Sequence, residues 1–313
     1  MSLFLGIDTS NYTTSCALYD SETGDVRSRR RLLPVKKGER GLRQSEAVFH
    51  HTKQLHVLIK DLLSPTVKIE AAAYSFAPRL AEGSYMPCFL VGESVGESIA
   101  AAMGISVFRT SHQIGHILAA LYSCGRLDFL KNKQRFLAYH VSGGTTDLLL
   151  CEPGEENILD ITRIGGSKDL KAGQCIDRIG VKLGLDFPCG SQLEKLAVKS
   201  DGNFKIKPCV NGLDCCLSGV ENLCIKMLDN SEKPENTARF CLDYIGESIC
   251  LTVKNAIKKY GNLPVVFAGG VMSDLIIRRR LECEFYSFFA KPEFSSDNAA
   301  GIAVYAAKMK GMI

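Results

Sequence analysis

The sequence contains no run of about 18 apolar residues, so nothing in it reads as a membrane-spanning helix, and no membrane partner is expected. Its start, MSLFLGIDTS, runs straight into a strand pattern without the basic flank and cleavage site of a signal peptide, and the expected location is the cytoplasm. Although the chain carries 13 cysteines, it has no Cys-x-x-Cys, which removes the commonest metal and redox frameworks. The cysteines are scattered through apolar segments and read as reduced core residues. The adjacent pair Cys215 and Cys216 would point to opposite faces of a strand. A net charge of +4 is too small by itself to announce a nucleic-acid protein. Two basic clusters stand out, however: Arg27, Arg29, Arg30 and Arg31 ahead of Lys36 and Lys37, and Arg278 to Arg280 in an expected late helix. Each is either a solvated edge or face, or a phosphate contact. Low-complexity segments and long linkers are also missing.

What is present is enough apolar content, 46% of 313 residues, for one large core or two medium ones. Leu3 to Asp8 is an apolar run ending in a polar turn, and Thr14 to Tyr19 resumes it. Phe136 to Val141, the turn Ser142 to Asp147 and Leu148 to Cys151 repeat that pattern, so the halves read as weak copies of one unit. After the first hairpin the periodicity predicts helices at 45–63, 92–103 and 112–124, with strands at 71–76 and 106–109. After the second it predicts helices near 171–183, 218–228, 236–259 and 273–283, a strand at 264–268, and a terminal helix after Asp297. A hairpin followed by strand–helix alternation, twice over, argues for two α/β domains with mixed sheets packed around a cleft. The polar stretch Gly125 to Gln134 is the expected boundary. That gives domains at 1–131 and 132–313, with the terminal helix able to pack back on the first.

Four groups of residues carry candidate chemistry. His112 and His116 are four apart on a helix with Ser111 as its cap, so both imidazoles can reach one ion; Asp297 and His140 are the candidates to join them. Such a shell suits iron or zinc. Ser142, Gly143, Gly144 and Thr145 form a turn whose glycines allow close backbone approach and whose N–H groups suit a phosphate. An ordinary hairpin with a glycine bulge would read the same way. The turn Asp8-Thr9-Ser10 matches it in the other half and supplies a carboxylate and hydroxyls as candidate catalytic groups. Gly269 and Gly270 follow a strand and precede a helix, where a flat ligand can lie against the helix start.

In this order these residues resemble the TsaD (Gcp) family of tRNA threonylcarbamoyladenosine synthases, formerly described as O-sialoglycoprotein endopeptidases of peptidase class M22. The resemblance covers Gly6 to Ser10, the histidine motif, Val141 to Thr146, Gly173 to Asp177, Leu183 to Pro188, Leu217 to Gly219, Ala268 to Val271 and Pro292 to Asn298. It implies a duplicated actin-like, ribonuclease H-like fold of the ASKHA type, with His112, His116 and Asp297 binding a divalent metal, iron or zinc. His140 stands where some members place a ligating tyrosine, and so becomes a fourth ligand. The implied adenylate or ATP site falls on Ser142, Gly143, Gly144, Asp177, Gly190 and Asp274. The implied activity moves a threonylcarbamoyl group from its adenylate to N6 of adenosine 37 in tRNA. The implied partners are tRNA, a related non-catalytic paralogue and an ATPase. The member is a divergent one. Asn11-Tyr12-Thr13 stands where the family reads Cys-Asp-Glu, Ala77-Pro78-Arg79 replaces Gly-Pro-Gly, and Val220-Glu221 replaces Leu-Lys. A non-catalytic paralogue and a small-molecule carbamoyltransferase therefore stay open as alternatives. A zinc peptidase would want a Glu beside the histidine pair, and Gln113 stands there.

Overall fold

The computed structural model describes residues 2–10, 12–34, 42–63, 67–294 and 298–313. In chain order the first elements are β1 (Leu3–Asp8), β2 (Thr13–Asp20), β3 (Val26–Leu32), α1 (Gln44–Leu62), β4 (Ile69–Ala77), α2 (Phe89–Met103), β5 (Ser106–Ser111), α3 (His112–Ser123) and α4 (Asp128–Lys131). There follow β6 (Phe136–Val141), β7 (Thr146–Pro153), β8 (Leu159–Ser167), α5 (Ala172–Lys182), α6 (Gly190–Ala197), β9 (Cys209–Asn211), β10 (Asp214–Cys216) and α7 (Ser218–Asp229). The last are α8 (Pro234–Tyr260), β11 (Val265–Ala268), α9 (Leu275–Glu282), β12 (Ser287–Phe289) and α10 (Ala299–Met309). The chain divides into two compact units. One takes Met1–Gln134, Pro153–Asp160 and Glu293–Ile313; the other takes Arg135–Glu152 and Ile161–Pro292.

In the first unit five strands run in the order β3-β2-β1-β4-β5. β1 pairs antiparallel with β2 and parallel with β4, and β4 pairs parallel with β5. Every residue of β1 is buried, which is why it reads as an unbroken apolar run rather than an alternating one. On one face Leu5, Ile7 and Leu18 pack with Leu55, Leu58 and Leu62 of α1 and Val91 of α2. The alanine-rich α10 covers strands β1, β2 and β4 and packs on α3. It comes so close that a Cβ on Gly6 would fall 2.2 Å from the Ala299 carbonyl, and one on Gly301 would fall 1.9 Å from the Gly115 carbonyl. Among the described residues β3 pairs with β2 alone, and its exposed Arg27, Arg29, Arg30 and Arg31 dress a sheet edge; Lys36 and Lys37 lie outside the described residues.

In the second unit seven strands run β12-β11-β6-β7-β8-β10-β9. The stretch β8-β7-β6-β11-β12 repeats the order of the first sheet, with β6 antiparallel to β7 and parallel to β11. The duplication read from the two hairpins is therefore present in the topology. The core is organised by α8, 27 residues long with Pro234 in its first turn, whose Ala238, Leu242, Ile245 and Ile249 pack with Leu137, Tyr139, Ile179 and Phe267. All cysteines are free thiols, nine of them buried; Cys215 is buried while Cys216 is half-buried, as neighbours on β10 must be.

Two helix glycines separate close approach from slack. Gly301→Ala puts a methyl inside the α3–α10 contact and is expected to destabilise by about 3 kcal/mol. Gly246→Ala, on α8, meets its nearest neighbour at 3.7 Å, so replacing a helix-interior glycine there should stabilise by about 0.5–1 kcal/mol. Thermal melts of the two variants should therefore shift in opposite directions; a shift of the same sign in both would contradict this packing.

Candidate functional site

In the first unit the site is built around Asp8, at the end of β1 and 1% exposed. Ser10 Oγ donates to its Oδ2 at 2.6 Å, and Ser75 Oγ, from β4, donates to its Oδ1. His112 Nδ1 lies 3.1 Å from Oδ2 and 3.2 Å from Oδ1, and Asn298 Nδ2 donates to Oδ2 at 3.4 Å. Burial alone would push the Asp8 carboxyl up, but the charge and hydrogen bond of His112, with the hydroxyls of Ser10 and Ser75, hold it at about 2. His112 and His116 leave the first turn of α3 with ring centroids 4.5 Å apart, and Ser111 caps that turn by accepting from Ile114 N at 3.2 Å. The expected cap is present, and the two imidazoles, one turn apart, meet edge to face.

This donor set fits a divalent cation. Two imidazoles share a helix face, one is backed by a carboxylate, and the buried Oδ1 of Asn298 has no hydrogen-bond partner among the described residues. Among the described residues no three His, Cys, Asp or Glu side chains converge as ligands. Asp297 lies outside the described residues, and His140 belongs to the second unit, on β6. Thr9, a candidate catalytic group, has its hydroxyl engaged by the backbone. Its hydroxyl is fully buried, donating to the Cys88 carbonyl at 3.0 Å and accepting from Gly92 N at 3.1 Å, so it holds the start of α2 instead.

In the second unit a cleft of about 320 Å³ is lined by Gly143, Gly173, Asp177, Gly190, Glu194, Gly270 and Asp274, among others. Close packing shapes it. A Cβ on Gly173 would fall 2.7 Å from Gly143 N, and one on Gly269, at φ +99°, would fall 2.2 Å from the Val141 carbonyl. These glycines let α5 and the turn after β11 close on the β6–β7 turn. Ala172 N donates to Thr146 Oγ1 at 2.9 Å and completes that docking. Asp177 Oδ1 accepts from Cys189 N at 2.8 Å, and Glu194 Oε1 accepts from Leu275 N at 2.8 Å. Asp274 caps α9, accepting from Ile276 N and Ile277 N. Burial raises its carboxyl to about 6, and Glu194 and Asp243 add to the rise against the two backbone donors.

Four of the sequence-predicted nucleotide residues, Gly143, Asp177, Gly190 and Asp274, line one cleft. Ser142, Gly144 and Thr145 complete the adjoining turn, with a difference: Ser142 Oγ accepts from Gly144 N at 3.3 Å and Thr145 N at 3.1 Å. Two N–H groups expected to face a phosphate therefore close the turn on itself. Glu194 escaped the sequence reading because α6 is short and buries only Leu193 and Ala197.

The sequence pattern of one family, TsaD (tRNA N6-adenosine threonylcarbamoyltransferase), matches residues 35–304. The chain belongs to the TsaD family. This is a family of carbamoyl and threonylcarbamoyl transfer, and membership places the chain in the transferase class. Solved structures agree on the fold. The Acidaminococcus fermentans (R)-2-hydroxyglutaryl-CoA dehydratase component A is 17% identical with a TM-score of 0.54, covering 99% of this chain and 100% of that one. Full-length HypF in its phosphate- and nucleotide-bound form is 12% identical at TM-score 0.60, over 98% of this chain and 55% of that one. The activator of a Clostridium difficile 2-hydroxyisocaproyl-CoA dehydratase, with bound ADPNP, is 15% identical at TM-score 0.53, over 99% and 96%. These are actin-like ASKHA folds, and this TsaD member shares that architecture with its two mixed sheets. Among the described residues no helix is long and apolar enough to cross a membrane.

Asp274 makes a pH prediction for this TsaD member. Because its folded pKa lies above the unfolded value of 3.8, the folded state keeps a proton that the unfolded chain has lost. Its contribution is fully present below pH 3.8 and is lost as pH rises through about 6, at most about 3 kcal/mol. Asp274→Asn keeps the cap and removes the charge. The variant should melt close to the wild type near pH 4 and above it at pH 7; parallel curves would refute the assignment.

Proposed function

We propose that the chain transfers a threonylcarbamoyl group from threonylcarbamoyl-adenylate to N6 of adenosine 37 in tRNA, in the cytoplasm, with one divalent cation, iron or zinc, held by His112 and His116. The observation that carries this reading is the glycine-shaped cleft of the second unit, which Asp177 and Asp274 line together with Gly143 of the Ser142–Thr145 turn. In the reaction the adenosine N6 attacks the carbamoyl carbonyl, the carbon–oxygen bond to the adenylate phosphate breaks, AMP leaves with the bonding pair, and N6 gives up one proton. A bound cation would polarise the acyl carbonyl. On this reading residues of the second unit hold the leaving AMP, and in the first unit Asp8 orients His112. The proposed partners are tRNA, a related non-catalytic paralogue and an ATPase.

A second reading is a non-catalytic relative that retains nucleotide and metal binding. Asn11, Tyr12 and Thr13 favour it, since no carboxylate stands where the family carries two.

Mass spectrometry of nucleosides from tRNA incubated with the protein, threonylcarbamoyl-adenylate, metal and partner proteins separates the two. Product is expected, and His112→Ala should lower the rate by about 100-fold or more together with metal content. If the wild type forms none while Tyr12→Asp/Thr13→Glu gains activity, the second reading replaces the first.

A further inference from the structure

The Asp8 carboxylate is surrounded by donors. Ser10 Oγ donates to it at 2.6 Å, Ser75 Oγ donates to its other oxygen, and Asn298 Nδ2, which can only donate, reaches it at 3.4 Å. His112 Nδ1 faces both oxygens at 3.1 and 3.2 Å, and against an acceptor-only partner that nitrogen has to carry the proton. Asn298 does not compete for it. Its Nδ2 lies 3.0 Å from Nδ1 and 3.4 Å from Nε2. A group seated on either in-plane lone pair would be far from the other nitrogen, so the amide rests on the face of the ring. The amide orientation that turns nitrogen toward the carboxylate avoids oxygen facing oxygen, and it leaves the buried Oδ1 without a partner among the described residues. A neutral imidazole protonated at Nδ1 keeps its lone pair at Nε2.

We propose that Asp8 is a positioning residue: it locks His112 in the Nδ1–H tautomer, so that Nε2 is the nitrogen offered to a cation, while Asn298 clamps the ring from its face. Asp8 then acts through His112 and not on the reacting atoms. It rests on the cation reading of the His112–His116 pair, yet the tautomer is a property of the metal-free protein.

Long-range nitrogen–proton NMR of metal-free protein at pH 8 reads the tautomer directly, and cobalt(II) titration followed by absorbance reads affinity. The wild type should show His112 protonated at Nδ1. Asp8→Asn, which can also present N–H groups to the ring, should mix the tautomers and weaken cobalt(II) binding by about 10–100-fold. Ser75→Ala, which leaves the carboxylate in place, should keep the tautomer and change affinity far less. An Nε2–H tautomer in the wild type, or unchanged cobalt(II) affinity in folded Asp8→Asn, overturns the proposal. Should the wild type bind no cobalt(II), the cation reading falls, and the tautomer alone then upholds or overturns the role of Asp8.

Discussion

A buried carboxylate needs donors, and Asp8 collects them from parts of the chain far apart in sequence: Ser10 in the turn after β1, Ser75 on β4, His112 on α3 and Asn298 ahead of α10. A carboxylate 1% exposed would be costly if unpaired, so these contacts have to form together with the fold. The consequence is geometric. The start of α3 and the start of α10 are both tied to the end of β1, and the close glycine contacts of Gly6 and Gly301 bring α10 onto the sheet and onto α3 at backbone distance. The histidine pair is thereby presented by a rigid terminus rather than by a loop.

The second unit uses glycines for the same purpose and carboxylates for a different one. Gly173 and Gly269 permit backbone contact around the β6–β7 turn, and the resulting cleft carries Asp177, Glu194 and Asp274. Each of these acids accepts a backbone N–H that fixes a neighbouring segment: Cys189 for Asp177, Leu275 for Glu194, and the first turn of α9 for Asp274. Cleft walls and helix caps are thus the same residues. At Asp274 burial outweighs the two backbone donors, and the charges of Glu194 and Asp243 add to it, so its carboxyl stays raised.

The departures from the family pattern have local counterparts. Glu221, where the family reads Lys, pairs with Arg178 of α5 at 3.0 Å, so the altered charge is matched across α5 and α7. The pair is partly exposed, and its contribution is correspondingly small. Arg79, in place of a family glycine, has its backbone N–H bonded to Ser84 Oγ at 3.1 Å.

Periodicity by itself determined the long elements. α1, α2, α3 and α8 follow a 3.6-residue apolar repeat, and β1 and β6 are unbroken apolar runs, so their existence, order and duplication were legible, as was the Ser111 cap. β3 was not, because an edge strand paired on one side and written VRSRRRL has no apolar face to reveal it. β8, the β9–β10 ribbon and the eight-residue α6 likewise bury too few residues to leave a pattern. The site residues were visible as types and spacings, but their jobs were not. Thr9 and Ser142 carry hydroxyls that sequence offers to catalysis and to a phosphate, and both accept from backbone N–H groups: Thr9 from Gly92, far away in sequence, and Ser142 from Thr145 in its own turn. Only the tertiary structure decided that Asp8 faces His112, since that contact joins residues 104 apart in sequence and depends on β1, β4 and α10 packing around one carboxylate.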